Sequence, residues 1–309
     1  MDYQSKDFVE TTDGLLFAVV CDRLEQDRLL VFLRYVQFDG HWRKLNTEQA
    51  YAYLQTHFPD YFFHSKQLDA ALHAVPVAKI IRHFQPQVVL RQLLAQSNPD
   101  PVVSDFQSLC RLLRSYQLDL DQFGVTGSLL VGRQNPASDM DLVCYDRQVF
   151  QQARQIIQTL ILRNQCQNLT PADWLEAYQR RGCEFPLDDY IWHEQRKFNK
   201  ALFNGRKFDL SLLASSSANP ERRYRKAGRA HIQARVVDDS LAFDYPAQYS
   251  LQHPEIGNVV CFTATYAGQA VTGETVEVAG QLEIDDQGRQ RIVVGSNREA
   301  LGEFISVLH

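Results

Sequence analysis

The chain has 309 residues, enough for two or three domains, with 45% hydrophobic and 22% charged residues, the balance of an ordinary soluble globular protein. Its 32 Lys and Arg against 37 Asp and Glu give a formal net charge of −5, which excludes bulk attraction to nucleic acid or anionic membrane and leaves only local basic patches for such contacts. No apolar run approaches the roughly 20 residues of a membrane span, the polar start Met1–Asp7 is no signal peptide, and six scattered cysteines without Cys-x-x-Cys spacing predict reduced, mostly buried thiols in the cytoplasm.

In chain order, the apolar runs Gly14–Val20 and Leu29–Val36 predict a β-hairpin within 8–36, joined by the charged stretch Asp22–Arg28. Ala50, Tyr53 and Leu54 predict a helix over 47–57. From 65 to 95 the apolar positions Leu68, Leu72, Ile80, Ile81, Val89, Leu93 and Leu94 favour helix, broken by Pro76 and Pro86. Ser104 is a candidate cap for a helix carrying Phe106, Leu109, Cys110 and Leu113. A strand ending at Gly127-Ser128, a strand over Asp139–Val143 and an amphipathic helix through Phe150, Ala153, Ile157 and Leu160 come next. Helical candidates at 171–180 and 188–201 precede an alternating strand, Lys207–Leu213. Ala214–Pro220 reads as a linker. Residues 230–295 are rich in Val, Thr, Ile and Tyr with regular turn signals, predicting a small antiparallel barrel or sandwich. Ser296 and Glu299 mark a capping box for a final helix through Leu301, Phe304, Ile305 and Leu308. The expected fold class is α/β (α+β). The expected domains are a β-hairpin plus helical unit over 1–100, a catalytic domain over 101–215 and a β-rich, barrel-like domain over 225–309.

The chemistry concentrates in Ser138-Asp139-Met140-Asp141-Leu142. On a strand, Asp139 and Asp141 project from one face, about 6–7 Å apart, while Met140 and Leu142 face the core. Like charges so placed call for a cation between them, and hard divalent ions bound through oxygen are the usual answer. Upstream, Gly127-Ser128 offers a turn whose backbone can approach a phosphate closely. Taken singly, an Asp-x-Asp is most often a solvated strand face; the joint pattern points to metal-assisted phosphate chemistry.

Gly127-Ser128, ten intervening residues, Asp139-Met140-Asp141 and a later strand carboxylate at Asp209 resemble the nucleotidyltransferase superfamily that includes DNA polymerase β. Beyond that motif, Asp7–Val20 and Val236–Ala247 resemble an uncharacterised family of archaeal and cyanobacterial predicted nucleotidyltransferases. The catalytic resemblance spans roughly 102 to 213. It implies a nucleotidyltransferase core of mixed sheet and flanking helices, and two Mg²⁺ ions, with Mn²⁺ able to substitute, on Asp139, Asp141 and Asp209. It also implies nucleotide contacts through Gly127 and Ser128, and transfer of a nucleoside monophosphate from an NTP to an acceptor hydroxyl on a protein, an RNA end or a small molecule. Arg133, in the spacer, is a candidate triphosphate ligand or an ordinary surface ion-pair partner. The competing reading is a catalytically silent nucleotide- or RNA-binding protein of the same fold.

Arg222, Arg223, Arg225, Lys226, Arg229 and Arg235 cluster after the linker against one acid, Glu221. Such runs are usually solvated faces, and an RNA contact is the functional alternative. Arg196, Lys197, Lys200, Arg206 and Lys207 precede Asp209 and form a second basic set. The nine histidines show no metal-ligand spacing, and His193 beside Trp192 reads as a packing residue.

Overall fold

The computed structural model describes residues 2–65, 70–214, 224–296 and 300–309, in two units, Met1–Val143 and Cys144–His309. The architecture is mixed α+β, with several sheets and, among the described residues, seven α-helices.

In the first unit, strands β1 (Phe8–Thr11), β2 (Leu15–Glu25), β3 (Arg28–Phe38), β4 (His41–Lys44), β5 (Phe62–Ser65), β6 (Ala70–Pro76) and β7 (Ile80–Phe84) form one sheet. Its order is β5-β6-β3-β2-β1-β7, with β4 on β3. The predicted hairpin is present but longer than expected. Gln26 and Asp27, at φ 55° and 57°, make a two-residue turn, so the charged stretch continues the ladder as Leu24 opposite Leu29 and Glu25 opposite Arg28. Two-residue alternation splits the β2 side chains between two cores. Leu15, Phe17 and Val19 pack with Ala50 and Leu54 of α1 (Thr47–His57), while Leu16 joins Phe8, Tyr35 and Phe84 on the other face.

The helix expected over 65–95 is corrected. Ala70–Pro76 pairs antiparallel with β3 and β5, and Ile80–Phe84 pairs with β1, so strand partners override the helical spacing of the apolar residues. Leu68 lies outside the described residues. Among the described residues of this stretch α2 (Pro86–Ala95) is the α-helix, with Pro86 tolerated in its first turn. The next helix, α3 (Pro101–Ser115), is capped by Asp100 rather than Ser104; the Asp100 carboxylate accepts from the Val102 and Val103 amides at 2.8 and 3.0 Å. β8 (Phe123–Val125) stops short of Gly127, which instead opens a one-turn helix, α4 (Gly127–Leu130). β9 (Met140–Cys144) pairs with β8.

The second unit begins with α5 (Arg147–Leu162), whose buried stripe Phe150, Ala153, Ile157 and Leu160 is the one expected. α6 (Pro171–Arg181) and α7 (Leu187–Gln195) follow. β10 (Lys200–Phe203) and β11 (Arg206–Leu212) form a hairpin, and the Leu213 amide donates to the Cys144 carbonyl at 2.8 Å. The β-rich region comprises β12 (Tyr224–Asp238), β13 (Ala247–Gln252), β14 (Ile256–Cys261), β15 (Thr275–Asp285), β16 (Gln290–Val294) and β17 (Phe304–Val307). Their order is β12-β13-β14-β16-β15-β17, with a further pairing of β12 to β15. Trp174, Phe185 and Tyr190 from the α6–α7 region pack into the same core as Val236, Tyr249, Val278 and Ile305.

The final helix is corrected to strand β17, which pairs with β15. Ile305 and Val307 are buried while Phe304 and Ser306 are not, so the period is two and not 3.6. The Ser296 amide donates to the Glu303 carboxylate at 2.9 Å. Glu299 lies outside the described residues.

His193 ties α7 to β17. Its Nδ1–H donates to the Asp189 carbonyl at 2.6 Å, and its Nε2 accepts from the Val307 amide at 3.0 Å, so both nitrogens are used by a neutral ring. Burial, followed by the nearby charges of Lys197, Arg196 and His309, outweighs the bond to Asp189 and lowers its pKa from 6.5 to about 4. A depressed folded-state pKa makes stability complete above pH 6.5 and loses it as pH falls toward 4, on the order of 3 kcal/mol. Denaturant unfolding across that pH window measures the loss, and His193→Gln is expected to flatten the slope.

Candidate functional site

β9 carries the Asp-x-Asp motif one residue later than expected: Met140 opens the strand, and Asp139 precedes it. The alternation is as read, with Met140 and Leu142 buried and Asp139 and Asp141 half-buried. The Thr126 amide donates to the Asp141 carbonyl at 2.9 Å, which brings the end of β8 beside the motif. Gly127 turns at φ +67°, and a Cβ there would lie 2.2 Å from Asp141 Oδ2. The carboxylate would have to give way to admit a side chain there, and the left-handed backbone angle favours glycine at the same position. Ser128, half-buried, is the second residue of α4.

The turn is anchored from below. Leu130 and Val131, immediately after Ser128 and Leu129, pack with Leu16, Tyr35 and Phe84 on the second face of the seven-stranded sheet. The Arg133 amide closes the turn on the Ser128 carbonyl at 2.9 Å. The exposed Arg133 guanidinium sits over the Trp42 ring, 5.3 Å from its centroid. Burial pushes the Tyr35 phenol up; Asp141 adds to that, while Arg34 and Arg133 oppose it. Tyr35, Trp42, Arg133 and Asp141 therefore share one electrostatic environment in the first unit. Neither Tyr35 nor Trp42 carried a sequence signal, because both come from the N-terminal sheet, far away in the chain.

Asp209 is on β11 in the second unit, opposite Lys200 of β10, with a side chain 39% exposed. Lys200 Nζ is 4.0 Å from its carboxylate, and Asn199 Nδ2 is 3.4 Å away. Behind this pair lies a buried charge network. Glu194, 1% exposed at its side chain, binds Lys197 at 2.5 Å and also Lys200. Lys197 donates to the Thr265 carbonyl at 2.8 Å, and Arg181 to the Thr265 hydroxyl at 3.0 Å. Burial would raise the Glu194 pKa, but Lys197, Lys200 and Arg181 outweigh it and hold the carboxyl well below the usual range. Burial depresses the Lys197 ammonium, opposed by Glu194. Thus Lys197 and Lys200 of the second basic set are structural partners of a buried carboxylate.

A cation has suitable donors here. Asp139 and Asp141 of the first unit are hard oxygen ligands beside the glycine cradle at Gly127. Among the described residues no group of three or more His, Cys, Asp or Glu side chains is gathered to hold a metal. Mg²⁺ commonly takes only one or two protein carboxylates and completes its shell with substrate phosphates and water, so the donor set fits that ion. Of the expected basic cluster, Arg225, Lys226, Arg229 and Arg235 lie on β12, and Arg222 and Arg223 fall outside the described residues.

The fold and motif define an α+β protein in which a Gly-Ser turn is pressed against an Asp-x-Asp strand. No family model matches the chain, and no solved structure matches it. It is 31% identical to the uncharacterized protein MJ1086 of Methanocaldococcus jannaschii over 338 aligned positions, which cover 99% of each chain. The chain belongs to the family of that protein.

Two outcomes test the geometry. Gly127→Ala is expected to destabilise by about 1–3 kcal/mol. Combining it with Asp141→Ala, which removes the clashing carboxylate, should cost less than the sum of the two single variants, as a denaturation double-mutant cycle would measure. Lys197→Met leaves the buried Glu194 with one fewer cation and is expected to cost about 3 kcal/mol; Glu194→Gln in the same chain should recover part of that loss.

Proposed function

We propose that the chain is a metal-dependent nucleotidyltransferase of the DNA polymerase β type, which transfers a nucleoside monophosphate from an NTP to an acceptor hydroxyl and releases pyrophosphate. The observation that carries this reading is the fit of Gly127 against the Asp141 carboxylate, which joins two motif halves that ten residues separate in sequence. Triphosphate chemistry asks for both halves at once: a backbone able to approach phosphate closely, and hard oxygen donors beside it.

Asp139 and Asp141 would hold Mg²⁺, or Mn²⁺ in its place, with Asp209 as the third carboxylate. The bound ions would neutralise charge on the α-phosphate and on the departing pyrophosphate during in-line displacement. Ser128 would offer its hydroxyl and amide to the β- or γ-phosphate, and the half-exposed Asp209 would take the proton of the attacking hydroxyl. Arg133, exposed and resting on Trp42, would swing its guanidinium toward the triphosphate. The acceptor is a protein side chain, an RNA end or a small molecule. The absence of a disulfide among the six cysteines would suit a cytoplasmic setting. The path β12-β13-β14-β16-β15 returns to β12, which supports reading the β-rich segment as a small barrel. No helix among the described residues is long and apolar enough to cross a membrane.

Incubation with labelled ATP, CTP, GTP and UTP plus Mg²⁺ or Mn²⁺ is expected to yield pyrophosphate or self-labelling. Asp139→Ala and Asp141→Ala should each lower the rate by about 100-fold or more. Equal release by the variants would overturn the metal assignment, and nucleotide binding without turnover would select the silent binding protein.

A further inference from the structure

We infer that the outer face of β12, β15 and β17 is a docking strip for single-stranded nucleic acid. The inference does not depend on turnover at Asp139 and Asp141. Antiparallel register settles which side chains share the face. Lys226 lies opposite Glu283, Arg229 opposite Gln281, His231 opposite Ala279, Gln233 opposite Glu277 and Arg235 opposite Thr275. Phe304 and Ser306 of β17 extend the His231 and Gln233 rows. The intervening residues Ile232 and Ala234 pair with the buried Val278 and Val276 and belong to the core face. Arg225, opposite Ile284, falls outside this row although it sits in the same basic run.

Five successive rows at strand spacing span about 27 Å, room for several nucleotides of an extended strand. Cations stand at both ends, Lys226 and Arg229 at one and Arg235 at the other, and each of these side chains is exposed. The two arginines are held by backbone carbonyls: Arg229 donates to Leu301 at 2.9 Å and Arg235 to Gly273 at 3.2 Å. These bonds fix the forks without neutralising them, and the remaining donors stay available for phosphate. The two acids of the face are each engaged from within the protein, Glu277 by His231 at 2.7 Å and Glu283 by Arg291 at 2.7 Å.

The middle of the strip offers what bases need. The Phe304 ring packs edge-on with His231, their centroids 5.9 Å apart, and Gln233 and Ser306 supply polar groups in the adjacent row. A cationic track flanking an aromatic platform is the common physical form of a single-strand site. A chain of net charge −5 has no bulk attraction for a polyanion, so such a strip would act locally.

The test uses the full chain in EDTA, so that the carboxylates hold no metal, with fluorescein-labelled 12-nucleotide RNA and DNA as probes in fluorescence anisotropy. Binding of either is expected, weakening with salt at a log–log slope near −2 for three neutralised phosphates. Lys226→Gln/Arg229→Gln/Arg235→Gln should weaken it by roughly tenfold or more and flatten the slope. The charge-reversed triple variant with Glu should abolish it, both variants being checked for native circular dichroism. Phe304→Leu should weaken binding several-fold with the slope unchanged. No binding of either probe, equal binding by the Gln variant, or full competition by phosphatidylserine vesicles would overturn the proposal.

Discussion

The first unit depends on one steric fact: the Asp141 carboxylate occupies the space a side chain would need at Gly127. The backbone at that point must also turn through a left-handed angle, which glycine adopts without strain. From this contact the local arrangement follows. The Thr126 amide finds the Asp141 carbonyl, β8 ends, and the chain starts a single helical turn. Leu130 and Val131 then sink into the apolar face shared by Leu16 and Tyr35. The position of the carboxylate is thereby coupled to a sheet built more than a hundred residues earlier in the chain.

The second unit handles charge differently. Glu194 and Lys197 are carried into the interior, with Arg181 half-buried beside them, where an isolated ion would be very unfavourable. Mutual pairing and the oxygens of Thr265 replace the water they lose. Lys200 reaches from this network to Asp209 across the β10–β11 hairpin, so the buried charges also set the environment of a half-exposed carboxylate.

Legibility in the sequence followed the range of the interactions. The alternation at Asp139–Leu142, the stripe of α5 and the turn-rich β segment were readable because their periodicity is written into adjacent residues. The segment Ala70–Phe84 was misread as helix because its partners, β1 and β3, lie roughly forty to seventy residues away and outweigh local preference. β17 was misread for the same reason: Ile305 and Val307 fit either period over so short a run, and only pairing with β15 decides between them. The Gly-Ser and Asp-x-Asp halves were legible as a motif, whereas the pressure of Asp141 on Gly127 was not, since no spacing rule reports a steric contact. Tyr35, Trp42 and the burial of Glu194 and Lys197 were invisible for want of any local pattern.

β15 has a property that follows from its neighbours. One edge serves β12 along nearly its whole length, while the other is divided between β16 and β17. The strand is therefore flanked only after residue 307 has been made, some eighty residues after β12 begins. On a ribosome this sheet would wait, with a long hydrogen-bonding edge open, until its closing strand had left the exit tunnel. The interval before closure is when the unit is most exposed to wrong partners, and the loop entropy of such distant pairings makes that interval long.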